Sequence, residues 1–231
     1  MFSSHSAIRT QKGIKSTIFN YFYHIPKGPI MDKVVSVHVA KTNEDLNKVL
    51  NIRWEGYKKY SIKKAEIIDE YDFSPNVTLL LAEDNYGNAV GTLRILDRRF
   101  GQIELDKFVE VDSFVSDEKE DCVEATRFSI PSHPDSKLIK HLLWKALLSY
   151  CLIGRVNVII YSVRPLASRA YRRLLFENVG PFGVYNHPLL GNSEHHTYKC
   201  VISEKRGVLK RIDPPLYNFF FKEDHPNILM N

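Results

Sequence analysis

Apolar positions along this chain switch between a period of two and a period of about 3.6, marking strands and helices in turn. Residues 34–39, Val-Val-Ser-Val-His-Val, form a β-branched run with strand character. Thr42 or Asn43 then caps a helix predicted to about residue 60, with Glu44 and Asp45 in its first turn. Leu46, Val49, Leu50, Arg53, Tyr57 and Tyr60 share one face of that helix. The Arg53 guanidinium therefore sits among apolar side chains and needs either a partner or a route to solvent. After an acidic, irregular stretch at 66–72, residues 77–82 and 89–96 pattern as a hairpin around Asn85-Tyr86-Gly87-Asn88.

A polar excursion follows over 97–121, with one short helix or strand expected at 108–114. Residues 122–130 form a strand that Pro131 and Pro134 end. Ser136 is expected to cap a strongly apolar helix to about residue 153, closed by Gly154. A buried strand at 156–163, a basic helix at 166–178 opened by Pro165, and a last strand at 196–202 complete the pattern. The order β-α-β-β-excursion-β-α-β-α-β predicts an α/β domain with a mixed sheet, because a hairpin in the middle excludes a doubly wound parallel sheet. No glycine-rich dinucleotide or phosphate-binding loop follows any strand, and no internal repeat is present. The domain is expected to span 32–203. An N-terminal extension at 1–31, helical around 14–22, precedes it, and a Pro- and Phe-rich tail at 204–231 follows.

Composition changes this picture little, but charge adds something. The net charge of +5 is clustered: Arg164, Arg169, Arg172 and Arg173 fall together, as do Lys205, Arg206, Lys210 and Arg211. Such fields favour an acidic partner, whether protein, nucleic acid or anionic lipid. Recognised nucleic-acid motifs are missing, and the basic clusters lack regular aromatic interleaving. Cys122, Cys151 and Cys200 are odd in number and lack zinc-ligand spacing; two of them lie in apolar patterns and read as buried thiols, and a reducing compartment fits best. With no signal-peptide pattern or spanning apolar run, the expected location is cytoplasmic.

Two charges stand out in the strand at 122–130. Glu124 and Arg127 interrupt apolar neighbours and, being three apart, would point to opposite faces of a regular strand. The broken alternation suits a β-bulge, which re-aims side chains; the competing interpretation is a solvated edge strand. Arg94, in Gly91-Thr92-Leu93-Arg94, is a third buried charge and a natural cross-strand partner for Glu124. Asp69 and Asp72 offer partners for Arg53 or Arg127, unless they belong to an ordinary polar loop.

These strings occur together, in order, in a known family. Ile67-Ile68-Asp69-Glu70-Tyr71-Asp72, Gly91-Thr92-Leu93-Arg94 and Glu124-Ala125-Thr126-Arg127-Phe128 resemble acyl-homoserine-lactone synthases and long-chain N-acyl amino acid synthases. Arg53 and Tyr57 match the Arg-x-x-x-Phe of the lactone synthases, and the resemblance covers about residues 34–203. It implies an acyl-CoA N-acyltransferase (GNAT-like) fold, with a mostly antiparallel central sheet flanked by helices. The lactone synthases carry a Trp and a Glu where this chain has Lys or Ile residues near Lys63 and Ile67. Those positions serve the S-adenosylmethionine pocket, so the amino acid synthases fit better.

The turn that cradles coenzyme A pyrophosphate in ordinary acetyltransferases reads here Ile130-Pro131-Ser132-His133-Pro134-Asp135-Ser136. It lacks glycine, has two residues without an N–H, and carries an aspartate that repels phosphate. An acyl carrier protein thioester is therefore the expected donor, with acyl-CoA the alternative, and no tightly bound cofactor or metal is expected. The carrier, being acidic, would dock on Arg164, Arg169, Arg172 and Arg173, unless these belong to an ordinary solvated basic helix. The resemblance implies attack of a primary amine, as in an amino acid, on a fatty acyl thioester. Glu124 is the expected base, held ionised by Arg94. Backbone N–H groups near Ser129 and Ile130 would serve the oxyanion. Arg53, Tyr57, Asp69, Asp72, Arg127, Phe128 and Ile130 are the expected substrate-binding set, with Arg127 either tied to the acidic loop or holding an acceptor carboxylate. Leu142, Leu143, Trp144, Leu147 and Leu148 either line an acyl tunnel or form core. Residues 1–31 either cover the acyl pocket or touch a membrane. A lactone synthase and a non-catalytic acyl-carrier or lipid sensor are the alternatives.

Overall fold

A computed structural model describes residues 35–60, 62–115 and 121–230. The extension at 1–31, its expected helix, and Val34 lie outside the described residues.

Strand β1 (Val35–Val39) leads into helix α1 (Asn43–Tyr57), capped by Thr42, whose hydroxyl accepts from Asp45 N while the Asp45 carboxylate accepts from Thr42 N. Strands β2 (Val77–Asp84) and β3 (Ala89–Asp97) form the expected hairpin. Strand β4 (Cys122–Ser129) is followed by helix α2 (Ser136–Gly154). Asp135, not Ser136, occupies the cap position, because the Ser136 hydroxyl turns back to His133 O. Arg155, with φ of 57°, takes the left-handed closing position expected of Gly154.

Strand β5 (Val158–Val163) follows. The basic helix is far shorter than its composition suggests: α3 spans only Ser168–Arg173, preceded by a 3-10 turn at Pro165–Ala167. Leu174 ends it, and Leu175 turns left-handed with φ of 65° so that both leucines pack onto the core. Short strands β6 (Glu177–Asn178) and β7 (Val184–His187) precede β8 (Ser193–Val201), which starts earlier than its alternation indicates. The C-terminal segment is ordered as α4 (Ile202–Ile212), α5 (Pro214–Phe221) and β9 (Ile228–Leu229). Leu209, Tyr217, Phe219 and Phe220 join the core, and the buried Lys145 ammonium donates to the Phe219 carbonyl at the end of α5.

The sheet order is β6-β8-β5-β4-β3-β2-β1-β9, with β7 pairing β8. All pairings are antiparallel except β4–β5 and β1–β9. Helix α2 covers one face, where Ile95, Val123, Ala125, Ile159 and Tyr161 meet Leu142, Leu143, Trp144 and Leu147. The excursion covers the other. Its described residues form 3-10 turns at Arg98–Phe100, Glu104–Lys107 and Val111–Ser113, the last falling where a short helix or strand is expected, and Ile103, Leu105 and Val111 pack on Leu96, Cys122, Val158 and Ile160. No helix among the described residues is long and apolar enough to cross a membrane.

Helix α2 packs closely over Gly91 in β3. A Cβ there would lie 2.7 Å from Ile139 Cγ2 and 3.2 Å from Leu143 Cδ1. Isoleucine is stiff at χ1 in a helix and cannot swing clear. Gly91→Ala is therefore expected to cost about 1–3 kcal/mol through overpacking, measured as a lowered urea midpoint with unchanged slope.

Candidate active site

Pairing between β4 and β5 stops at Ala125↔Tyr161, although both strands continue. Beyond that point the two strands part, and a cavity of about 230 Å³ opens between them. Glu124, Thr126, Arg127 and Phe128 line it from β4; Tyr161, Ser162, Val163 and Arg164 line it from β5 and its end. Tyr57, Tyr60, Glu104, Tyr171, Tyr185, His187 and His195 complete its walls.

The bulge that broken alternation suggests lies at this point. Thr92 pairs with Ser129 and Arg94 with Thr126, so β4 carries one residue more than β3. Arg127 sits there with φ of 52°, in the left-handed region that non-glycine residues seldom occupy. In a regular strand Arg127 would face α2. The extra residue turns it to the side of Glu124 and the excursion, while Phe128 takes the α2 side and stacks near Trp144.

Arg127 is held there by charge. Its Nη2 donates to Asp69 Oδ2 at 2.6 Å and Glu104 Oε1 at 2.9 Å. The same two carboxylates hold Arg94, at 2.5 Å and 2.6 Å, so four side chains close a ring. Asp72 extends it, bridging Arg94 at 3.1 Å and Arg53 at 2.7 Å. Asp69 and Asp72 are presented by a short 3-10 turn, Glu70–Phe73, in which Asp69 accepts from Tyr71 N and Asp72 from Asp69 N. Three guanidiniums thus face three carboxylates, all buried except Asp69, which is partly exposed. Burial alone would raise Asp69 and Glu104, but the Arg94 and Arg127 charges hold both below their ordinary range.

Glu124 is the acid left over. The expected Arg94–Glu124 pair does not form, because Arg94 is taken by Asp69, Asp72 and Glu104. Glu124 accepts instead from Leu105 N at 3.1 Å. Burial, reinforced by the negative charge of Glu104, pushes its carboxyl up to about 8. At neutral pH the carboxyl is therefore largely protonated rather than held ionised.

Of the other expected residues, Tyr57, Phe128 and Arg164 line the cavity. Arg53, Arg94, Asp69 and Asp72 form the ionic framework beside it. The Ser129 hydroxyl donates to Ile52 O at 2.9 Å, tying β4 to α1, and Ser129 is not among the residues that line the cavity. Ile130 packs against the core. Arg169 and Arg172 are exposed on α3, and the side chain of Arg173 lies outside the description. Leu142, Leu143 and Leu147 are core, while Trp144 and Leu148 line a separate apolar cavity of about 60 Å³. The cysteines are buried and unpaired, with burial pushing Cys122 and Cys200 up to about 12. No cluster among the described residues is arranged to hold a metal ion.

Sequence reasoning passed over Glu104, His187 and His195. Glu104 lies between Ile103 and Leu105, both fully buried. That apolar-charged-apolar alternation was its available signal. Burial lowers His187 to about 4, so its imidazole is neutral beside Glu104.

The model of the N-acyl amino acid synthase FeeM family matches residues 52–193. No curated protein matches the chain. Among solved structures, FeeM, an N-acyl amino acid synthase from uncultured soil microbes, is similar at a TM-score of 0.62 and 16% identity, covering 75% of this chain and 93% of that one. The AHL synthase LasI follows the same course, at 0.56 and 16%, covering 73% and 90%. BjaI, a CoA-dependent acyl-homoserine lactone synthase solved with SAM and isopentyl-CoA, reaches 0.55 and 14%, covering 85% and 93%. The architecture is that of the acyl-CoA N-acyltransferases. The chain belongs to the FeeM family of N-acyl amino acid synthases and is accordingly an N-acyltransferase.

Glu104→Gln removes one charge from the ring and leaves Arg94 and Arg127 undercompensated. The expected loss is about 3–5 kcal/mol, read from urea unfolding. Because the folded pKa of Glu104 lies below its ordinary 4.5, the difference from wild type should be complete above that pH and fade as the pH falls below it.

Proposed function

We propose that the enzyme transfers a fatty acyl group from an acyl carrier protein thioester to the primary amine of an amino acid. The observation that carries this reading is Glu124, a carboxyl without a cationic partner, facing the cavity where β4 and β5 part. The amine nitrogen attacks the thioester carbon and its proton passes to Glu124, directly or through one water. Backbone N–H groups on the unpaired edge of β4 around Thr126–Phe128 stabilise the oxyanion. Collapse forms the amide and expels the thiol, which recovers the proton. The acyl chain lies along the apolar wall made by Phe128, Tyr161, Val163 and Tyr171.

The turn before α2 supports a carrier protein over coenzyme A. Asp135 N donates to His133 Nδ1 at 3.1 Å and Ser136 N to His133 O at 3.1 Å, so these donors are spent within the turn. Pro131 and Pro134 offer none. Exposed Arg169 and Arg172, beside the cavity wall formed by Ala167 and Tyr171, provide a basic face for an acidic carrier.

Glu124→Gln is expected to lower turnover about 10²–10⁴-fold while carrier binding is retained. The wild-type rate should climb with pH through about 8, where Glu124 ionises, and this limb should vanish in the variant. Unchanged turnover would remove Glu124 from the base role.

A further inference from the structure

We propose that Arg164 binds the carboxylate of the acceptor and makes the enzyme select amino acids over simple amines. This rests on the amine-acylation reading and adds to it the group that recognises the acceptor's acid.

The proposal follows from which charges in the cavity are already committed. Two lining residues are permanent cations, Arg127 and Arg164. Arg127, the residue the motif suggests for an acceptor carboxylate, is buried and engaged by Asp69 and Glu104. Drawing it away would leave those two carboxylates undercompensated and release the strained bulge. His187 and His195 are kept neutral, each chiefly by burial, with nearby positive charge acting in the same direction. Arg164 is different. It is exposed at the cavity rim and has no carboxylate within salt-bridge distance among the described residues.

Its side chain is nonetheless oriented. The guanidinium lies over the Tyr60 ring, 4.7 Å from the centroid, and donates to the Tyr60 hydroxyl. Tyr60 itself lines the cavity, so this contact holds the cation at the cavity rather than in solvent. Arg164 also sits at the turn after β5, where the 3-10 segment Pro165–Ala167 begins and Pro165 restricts its backbone. Glu124 lies at the inner end of the cavity as the group placed to take the amine's proton, and Arg164 makes its rim basic. A molecule with an amine at one end and a carboxylate at the other fits that arrangement; an amine lacking the carboxylate leaves the rim unused.

The test uses the full-length enzyme, an acylated carrier protein as donor, and matched acceptors: phenylalanine against phenethylamine, and leucine against 3-methylbutylamine. Wild type should prefer at least one amino acid over its matched amine by tenfold or more in kcat/KM. Arg164→Gln should abolish that preference by raising the KM for the amino acid at least tenfold. The KM for the donor and turnover of the amine should stay near wild type, and Arg164→Lys should restore part of the preference. A variant that keeps the wild-type preference would overturn the assignment. A rise confined to the donor KM would also overturn it, placing Arg164 on the pantetheine phosphate or carrier instead. Wild-type enzyme that acylates amino acids and amines alike contradicts the carboxylate site while leaving amine acylation standing. Wild-type enzyme that acylates none of the four contradicts the amine-acylation reading itself, and the carboxylate assignment with it.

Discussion

The site depends on one constraint: three guanidiniums removed from water must each meet a carboxylate. Arg53, Arg94 and Arg127 come from α1, β3 and β4, and Asp69, Asp72 and Glu104 come from two irregular segments. An uncompensated buried charge costs several kcal/mol, so each irregular segment is held where its carboxylate is needed. The ring formed by Arg94, Asp69, Arg127 and Glu104 also offsets the left-handed backbone at Arg127. The bulge, the covering excursion and the parting of β4 from β5 are thus tied to one electrostatic arrangement.

That balance gives Glu124 its character. A fourth carboxylate in a site of three cations, Glu124 has no ion-pair partner among the described residues, and the Arg94 charge is outweighed. Burial and the neighbouring Glu104 therefore favour its protonated form until the pH approaches 8. The same physics lowers the carboxylates inside the ring and raises the one beside it. Unequal surroundings thus separate the carboxyl pKa values within one pocket, with ionised carboxylates in the ring and a raised carboxyl beside it.

Much of this was legible in the chain. The hairpin at 77–96, the apolar α2 and the β4 bulge followed from periodicity and its interruption. Arg53, Arg94 and Arg127 were recognisable as charges in apolar surroundings, and Asp69 and Asp72 as partners for Arg53 or Arg127; Arg53–Asp72 and Arg127–Asp69 both form. The pairing of Arg94 was not legible, because it is set by contacts across the fold. Arg94 is in the strand next to Glu124, yet it turns to Asp69 and Glu104. Glu104 was hidden in a polar excursion whose compact 3-10 turns have no repeating signature. Ser129 illustrates the converse: a polar residue beside the site, its hydroxyl engaged in fastening α1. Composition also overstated α3, since its arginines continue no further than the point where Leu174 and Leu175 must reach the core.

The central claim, that Glu124 is the one acid outside a balanced ionic ring, is open to direct titration. Carbon-13 NMR of protein labelled at the glutamate side-chain carboxyl, followed from pH 4 to 10, should show one resonance titrating near 8. That resonance should be missing in Glu124→Gln, while the Glu104 resonance should titrate below the ordinary glutamate range. A Glu124 resonance titrating in the ordinary range near 4.5 would contradict the proposed charge balance and the role in proton transfer drawn from it.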